Sequence, residues 1–233
     1  MKKPSSDGTR FGTLAVHAGQ EPEPTTGAII PPIFQTSTYV QPDVAKPKQG
    51  YDYARVRNPT TVGLEQKMAA LEGGAHGIAF SSGLAAIEAV VKRLSAGDHV
   101  VCEENTYGGV IRMYTGVLAK LGLEFSYVDT RDPERIRDAM RPNTRLVHVE
   151  TPTNPLIRIC DIRAAADVAH EGDALLMVDS TFASPFNQQP LALGADVSMH
   201  SSTKLPERPF RHHRRRARTQ RRRTRRGHPL RPE

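Results

Sequence analysis

The chain has 233 residues, enough for one large domain or two small ones, and 38% of them are hydrophobic, which allows a globular core. It has no run of 18 apolar residues, and no apolar stretch follows the basic start, so we expect neither a transmembrane helix nor a secretory signal and no membrane partner.

The net charge of +7 is concentrated at one end of the chain. Residues 205–233 hold 12 of the 32 basic residues and 2 of the 25 acidic ones, so the preceding residues are mildly acidic. The two cysteines, Cys102 and Cys160, fit no metal spacing and sit in or beside apolar runs. They predict buried free thiols in a reducing cytoplasm, and no metal site.

The first 60 residues are predicted to form an extended N-terminal arm, since they are rich in Pro, Gly and Thr with little periodicity. The sequence leaves open whether the arm packs on its own domain or on a partner subunit. Tyr53 and Arg55 are two apart and point the same way if the segment is extended. Arginine suits a phosphate because its planar fork binds two oxygens, although an ordinary turn at Asn58 and Pro59 is the alternative.

A helix over 62–74 and a short strand over 77–80 are predicted next. The strand runs into the turn Ser81-Ser-Gly-Leu84, and a second helix follows with apolar residues on one face. Free backbone N–H groups at a helix start favour an anion, so this turn indicates a phosphate site.

Strands and helices then alternate. Strands are predicted at 99–103, 124–128, 145–149, 174–178 and 197–199. A helix is predicted from the end of the turn at 105–109 to about 120, and further helices at about 133–141 and 162–171. Continuous apolar strands separated by helices predict an α/β fold, with a mainly parallel sheet covered by helices on both faces. The ligand of such a sheet lies beyond the carboxyl ends of the strands.

Five polar residues fall at or just after predicted strand ends: Ser82, Tyr107, Asn154, Asp179 and Ser201. A buried acid such as Asp179 needs a cationic partner, and a protonated pyridine nitrogen would be one. Lys204 follows three hydroxyl residues, so its amine can form a Schiff base while the hydroxyls hold a phosphate. Together the acid and the lysine indicate a pyridoxal phosphate (PLP) site, the alternative for Lys204 being a surface lysine after a strand.

Six motifs, in order over about residues 10–204, resemble the Cys/Met-metabolism family of PLP enzymes, which includes cystathionine γ-synthase, cystathionine γ-lyase, methionine γ-lyase and O-acetylhomoserine sulfhydrylase. The motifs are Tyr53-Ala-Arg55, Ser81-Ser-Gly-Leu84, Tyr107-Gly-Gly, Glu150-Thr-Pro-Thr-Asn-Pro155, Val178-Asp-Ser-Thr-Phe182 and Ser201-Ser-Thr-Lys204. The resemblance implies the large domain of a fold-type I PLP-dependent transferase.

The resemblance also implies roles around the cofactor ring. Lys204 would attach the cofactor and then move protons, and Asp179 would keep the pyridine nitrogen protonated. Tyr107 would stack on the ring and assist proton transfer, while Asn154 would bond the ring hydroxyl. Thr181 is either a cofactor ligand or a packed strand-end hydroxyl.

A second group of residues would bind the phosphate. The backbone at Gly83 and Leu84 would contribute, together with Ser201 and Thr203. Tyr53 and Arg55 would reach the phosphate from a neighbouring subunit, which implies a homodimer or homotetramer. Glu150 and His200 are assigned structural roles, not catalytic ones.

The resemblance stops after Lys204, where the family continues with an aromatic residue and Leu-Asn-Gly-His-Ser. Residues 205–233 are instead Arg-rich, and we expect a disordered tail after an incomplete PLP-binding domain at 61–204, with the C-terminal domain missing. A one-base shift in GC-rich codons for residues 207–218 restores Asn-Gly-His-Ser, so a frameshift, biological or from sequencing, is our hypothesis. The nucleotide sequence tests it.

The sequence therefore predicts a transsulfuration enzyme that performs γ-replacement or γ-elimination on cystathionine or an O-acyl-homoserine. The missing half would supply the arginine for the substrate carboxylate, so we expect little activity from this chain alone. O-acetylhomoserine sulfhydrylase and methionine γ-lyase are alternatives within the family. Outside it, the alternatives are a non-catalytic PLP-binding remnant and a basic-tailed nucleic-acid-binding protein, although non-specific binding is all the tail itself predicts.

Overall fold

Five parallel strands form one sheet in the computed structural model, which describes residues 9–44 and 46–204. The strands are β1 (His99–Glu103), β2 (Glu124–Val128), β3 (Thr144–Glu150), β4 (Leu175–Asp179) and β5 (Val197–Met199). They lie in the order β2-β1-β3-β4-β5, and every neighbouring pair is parallel. The predicted parallel α/β sheet is confirmed, with strand bounds within one residue of the prediction.

Helices connect the strands. They are α1 (Phe11–His17), α2 (Pro59–Glu72), α3 (Gly83–Val91), α4 (Gly108–Gly116), α5 (Pro133–Ala139), α6 (Ile162–Glu171) and α7 (Ser184–Asn187), with 3₁₀ turns at Leu118–Leu121 and Pro190–Leu193. Side-chain caps fix several starts: Asn58 accepts the N–H of Thr60, and Asp161 accepts that of Ala164.

Apolar residues of the sheet are buried on both faces. Leu176 and Val178 belong to a cluster that includes Ile136 of α5 and several residues of α6. Met177, on the opposite face, packs in a cluster with residues of α3 and α4, among them Tyr114. Because side chains alternate along a strand, this division requires helices on both sides of the sheet, as the continuous apolar strands predicted.

Two expectations about the region before the sheet are wrong. Residues 77–80 are not a strand: the N–H of Ala79 donates to the side chain of Glu65, and Ile78 is 72% exposed. A strand requires a ladder partner, and the described residues supply none there. The arm is not wholly extended either, because α1 packs on α2 and Phe11 meets the ring of Phe186 edge-on.

The described part of the chain contains no helix long and apolar enough to cross a membrane. It also holds no cluster of His, Cys, Asp and Glu suited to a metal ion. Cys102 and Cys160 are both free and buried, as expected. The Arg-rich tail lies outside the described residues.

Candidate active site

The carboxyl ends of three adjacent strands finish in one row. Glu150 of β3 is the register partner of Asp179 of β4, which in turn is the partner of Met199 of β5. The segments that follow these residues therefore leave the sheet side by side, and they carry Asn154, Thr181 and the run from Ser201 to Lys204.

Asp179 is a buried carboxylate at the centre of this row, 7% exposed. Its Oδ1 atom accepts the N–H of Thr181 at 3.0 Å, and no Lys or Arg in the described ranges forms an ion pair with it. Burial raises the pKa of Asp179, while the bonds from Thr181 and the nearby His200 lower it. Such a group favours a cationic partner, because a neighbouring positive charge offsets the loss of hydration.

The segment after β5 lies against the turn that starts α3. The N–H of Ser201 donates to Oγ1 of Thr181 at 2.9 Å, and the hydroxyls of Ser201 and Thr203 are 2.8 Å apart. A Cβ on Gly83 would lie 3.0 Å from Cβ of Ser201, so the two backbones meet closely. Leu84 is the next residue of α3, whose first turn presents free N–H groups.

Thr181 therefore uses its hydroxyl oxygen to accept a backbone N–H, as the packed-hydroxyl alternative expected, and its side chain also hydrogen-bonds the Asp179 carboxylate. Lys204 is exposed, and its Nζ makes no hydrogen bond or ion pair with the described residues. Gly83, Leu84, Thr181, Ser201 and Thr203 are thus brought together, and Lys204 directly follows them. Their roles stay predictions.

Tyr107 precedes α4 and is tied to the row by Glu150. The Oε2 atom of Glu150 accepts the N–H of Tyr107 at 2.6 Å and the hydroxyl of Thr106 at 3.0 Å. The ring of Tyr107 lies over Gly109, where an added Cβ would be 2.4 Å from Cε1. Tyr107 is 53% exposed, so the ring faces open space beside the row.

Glu150 is 4% exposed and was not among the predicted site residues. Burial raises its pKa to about 7, and the adjacent Asp179 adds to the rise, while hydrogen bonds from Tyr107, Thr106 and the Asn154 backbone oppose it. The backbone N–H of Asn154 therefore also donates to the Glu150 carboxylate. The signal in the sequence was a second acid at the end of a buried strand, next to the strand that ends in Asp179.

His200 was likewise assigned a structural role, and its contacts agree with that. Its Nε2 atom lies 2.5 Å from Oε1 of Glu72, and both side chains are almost fully buried, 7% and 6% exposed. Oε2 of Glu72 has no partner among the described residues. The pair fastens the end of α2 to the strand that leads into Ser201.

Tyr53 and Arg55 are not joined to the row. The Arg55 guanidinium donates to the Tyr53 hydroxyl at 2.9 Å and lies over the same ring. Tyr53 also forms an isolated antiparallel bridge with Thr38. Their side chains bond each other, and no contact with Ser201 or Gly83 occurs within the described residues.

The assembled donors and acceptors fit a small molecule with an anionic end and a cationic ring nitrogen. The first turn of α3 and the hydroxyls of Ser201 and Thr203 suit a phosphate. Asp179 suits the ring nitrogen, and the primary amine of Lys204 suits an aldehyde carbon.

Comparisons with known proteins point to the same chemistry. The family described as "Cys/Met metabolism PLP-dependent enzyme" matches residues 12–205. A probable cystathionine γ-synthase of Herpetosiphon aurantiacus is 50% identical over 194 residues, and a cystathionine γ-lyase of Bacillus subtilis is 48% identical over 192 residues. A cystathionine β-lyase of Lactococcus lactis is 45% identical over 196 residues.

A solved structure of metB from Corynebacterium glutamicum superposes with a TM-score of 0.83 at 45% identity, covering 87% of this chain and 52% of that one. The matches cover 83% of this chain and 60% of the Herpetosiphon relative, and 82% of this chain and 50% of the Bacillus one. The chain therefore spans about half to three fifths of the length of the relatives it matches.

Proposed function

The chain belongs to the Cys/Met metabolism family of PLP-dependent enzymes, and we propose that it carries the cofactor half of a transsulfuration enzyme that acts on cystathionine or an O-acyl-homoserine. The three relatives above all have cystathionine in their names, but two are named for a reaction at the γ-carbon and one for a reaction at the β-carbon. We propose chemistry at the γ-carbon, of the cystathionine γ-synthase or γ-lyase kind, as the first choice.

The strand-end residues would hold PLP as follows. The N–H groups of Gly83 and Leu84, with the hydroxyls of Ser201 and Thr203, would bind its phosphate. Asp179 would accept a hydrogen bond from the ring nitrogen. Tyr107 would cover the ring face, and further contacts would come from Asn154 and Thr181.

When bound, PLP supplies an electron-withdrawing ring that stabilises negative charge on the substrate carbon next to the amino group. Asp179, buried and ionised beside a protonated nitrogen, would keep that ring positively charged. Lys204 would attach the cofactor through Nζ and, as a neutral amine, would take a proton from the substrate and return it to a neighbouring carbon. Tyr107 would exclude water from one face of the ring and assist the proton transfer.

One observation carries the proposal: the row in which Asp179 lies between Glu150 and Met199, with Thr181 bonded to Ser201 three residues before Lys204. It brings to one edge of the sheet an acid, the hydroxyls of Ser201 and Thr203, and the segment that carries the amine of Lys204. These are the three groups that a PLP site requires, and they come from separate parts of the sequence.

The test separates cofactor binding from turnover. Purified full-length protein is dialysed against PLP, and the absorbance of bound cofactor is compared with that of Lys204→Ala. The loaded protein is then given cystathionine. With uptake of water, cleavage at the γ-carbon releases cysteine, ammonia and a four-carbon keto acid, whereas cleavage at the β-carbon releases homocysteine, ammonia and a three-carbon keto acid. Formation of cystathionine from O-acyl-homoserine and cysteine tests the synthase direction.

Each result has a defined meaning. Binding that depends on Lys204 together with a γ-carbon product supports the proposal. Binding without turnover of any substrate supports the non-catalytic remnant, and absence of binding contradicts the proposal. Turnover of O-acetylhomoserine with sulfide, or of methionine, assigns one of the other family members.

We propose that the complete site forms between subunits of a cytoplasmic homo-oligomer, with Tyr53 and Arg55 of one subunit binding the phosphate in another. Two observations support this proposal: within the described residues these two side chains bond each other and none of the strand-end residues, and Val56 beside them is 84% exposed. Arg55→Ala and Lys204→Ala each damage a different part of the same site. Mixing the two variants should therefore restore Lys204-dependent PLP binding in mixed oligomers, and no recovery would contradict shared sites.

A second candidate, non-specific nucleic-acid binding, is favoured by one observation only. Residues 205–233 carry 12 basic and 2 acidic residues, enough for salt-dependent attraction to phosphates. Loss of binding on deletion of 205–233, with PLP binding retained, would show that the two properties are separate. A preferred DNA sequence would favour this second function as the physiological one.

A further inference from the structure

The turn that carries Tyr107 is held by two buried carboxylates. Glu103, 1% exposed, accepts the N–H of Asn105 at 2.9 Å at the start of the turn. Glu150, 4% exposed, accepts the N–H of Tyr107 at its end, together with the hydroxyl of Thr106. Buried carboxylates are stable only when such bonds satisfy them, so each bond constrains both its partners.

Tyr107 depends strongly on this backbone support. Its side chain is half exposed and packs on Gly109, which has no side chain to hold it laterally. Tyr107 makes no side-chain capping bond at the start of α4, and its carbonyl accepts the N–H of Val110. In the described part of the chain, the Glu150 carboxylate is the group that accepts its N–H.

Glu150 also fixes Tyr107 relative to Asp179. The two acids are register partners on neighbouring strands, and such strands lie about 4.8 Å apart. The N–H of Thr151, directly after Glu150, donates to the carbonyl of Asp179 at 3.1 Å. The Tyr107 turn and the Asp179 strand are therefore joined through Glu150 and the adjacent Thr151.

We propose that Glu150 is a positioning residue that holds the backbone of Tyr107, and with it the ring, in a fixed place relative to the strand that ends in Asp179. This inference rests on the proposed function, in which both side chains face the cofactor ring. Glu150 itself touches neither cofactor nor substrate. Its removal would loosen the covering of the ring face while leaving Asp179, Ser201 and the α3 turn in place.

The first measurement needs no cofactor. Amide hydrogen exchange is followed residue by residue in unloaded wild type, Glu150→Ala and the matched control Glu103→Ala. Losing a bond to a charged acceptor should accelerate Tyr107 exchange by about tenfold to hundredfold in Glu150→Ala, relative to the amide of Val147 in the sheet. In Glu103→Ala the acceleration should fall on Asn105 and Thr130, whose N–H groups Glu103 accepts.

The second measurement is a double-mutant cycle on PLP affinity by equilibrium dialysis. Glu150→Ala should weaken binding about tenfold in the native background, and by no more than about twofold when Tyr107 is already alanine. Glu150→Gln, which keeps the size and one acceptor, should show a smaller loss, and it replaces the alanine variant if that variant fails to fold. Equal losses in both backgrounds would overturn the proposal, because Glu150 would then act without Tyr107.

The two measurements fail in different ways. If Tyr107 exchange is unchanged in both Glu150 variants, the carboxylate does not hold the turn and the proposal is overturned. If wild type binds no PLP, the proposed function fails and so does the cofactor half of this inference. The exchange result would still decide whether Glu150 holds Tyr107.

Discussion

The sheet and the N-terminal segment, residues 20–57, are built in opposite ways. All five residues of β1 are buried, whereas no described residue from 9 to 58 is buried. In the segment the ladder pairing consists of isolated bridges, and Val40 and Val44 are 88% and 89% exposed. The sheet places the residues of its own edge, but Tyr53 and Arg55 lack a core that fixes them. In the proposed site, the sheet edge would therefore be preorganised, whereas Tyr53 and Arg55 would need a further contact to hold them.

The largest expected effect is at the sheet edge. Asp179→Ala removes the buried partner of a cationic ring nitrogen, a change that corresponds to about 3–5 kcal/mol. PLP affinity should therefore fall by a hundredfold or more. Arg55→Ala removes an exposed phosphate contact and should lower affinity by about tenfold. Equilibrium dialysis gives both values, and an equal loss would contradict the contrast between the two regions.

A pair of valines tests the contrast directly. Val101 is 0% exposed and Val44 is 89% exposed. Val101→Ala should lower the free energy of unfolding by about 2–3 kcal/mol, because it removes two buried methyl groups and leaves a cavity. Val44→Ala should change it by less than about 0.5 kcal/mol. Urea unfolding gives both values. A large loss at Val44 would show that the segment is packed, on its own chain or on a partner.

Two glutamates have pKa values that are shifted in opposite directions, so they should change the pH dependence of folding stability in opposite ways. The pKa of Glu150 is raised to about 7, chiefly by burial, so its ionisation opposes folding. The contribution of Glu150 to the free energy of unfolding is fully present below its unfolded pKa near 4.5 and is lost as the pH rises through 7. The loss is on the order of 2–3 kcal/mol. Asp179, whose pKa is also raised, acts in the same sense. Glu150→Gln should therefore lose less stability than wild type between about pH 4.5 and 7.

Glu23, in the N-terminal segment, is the control. Hydrogen bonds from Thr26 lower its pKa to about 2, so its contribution is present above about pH 4.5 and is lost as the pH falls through 2. Between pH 4.5 and 7, the free energy of unfolding of Glu23→Gln should change with pH in the same way as that of wild type. Urea titrations at several pH values measure these curves. Parallel curves for Glu150→Gln would contradict the raised pKa.

The smallest expected effect concerns a glycine. An alanine at Gly109 would place its Cβ 2.4 Å from Cε1 of Tyr107, so the ring must move. PLP affinity should fall about threefold to tenfold, the value of one stacked ring contact, while helix propensity keeps the melting temperature unchanged or higher. Gly116→Ala, at a position with no atom within 4 Å of the added Cβ, is the matched control. An equal loss of affinity there would contradict a ring-specific effect.

The sequence predicts the sheet well because its signals are local and mutually consistent. The run His99–Glu103 has three apolar residues at its centre and is followed by polar turn residues, and the strand has those bounds. Asp179 and Ser201 could be predicted at one edge because parallel strands end on the same side. The resemblance to the family supplied the roles, which the residues alone left open.

Residues 77–80 and Glu150 show what a local sequence pattern does not supply. The segment 77–80 has the composition of a strand, but a strand is defined by its ladder partner, which is remote in sequence. Glu150 was assigned a structural role, and no local pattern could show that its side chain accepts the N–H of Tyr107, 43 residues away. Local pattern carries neither of these long-range relations. The same reason hides the partner of Tyr53 and Arg55.

The buried bond between His200 and Glu72 has a consequence for the order of folding. It joins residues 128 positions apart in the chain, the end of α2 and the strand that delivers Lys204. Loop closure over so long a stretch is slow, so such contacts form late. During synthesis, this contact can form only after residue 200 has been made, so the segment that carries Lys204 is fastened to helix α2 only once all five strands have been synthesised.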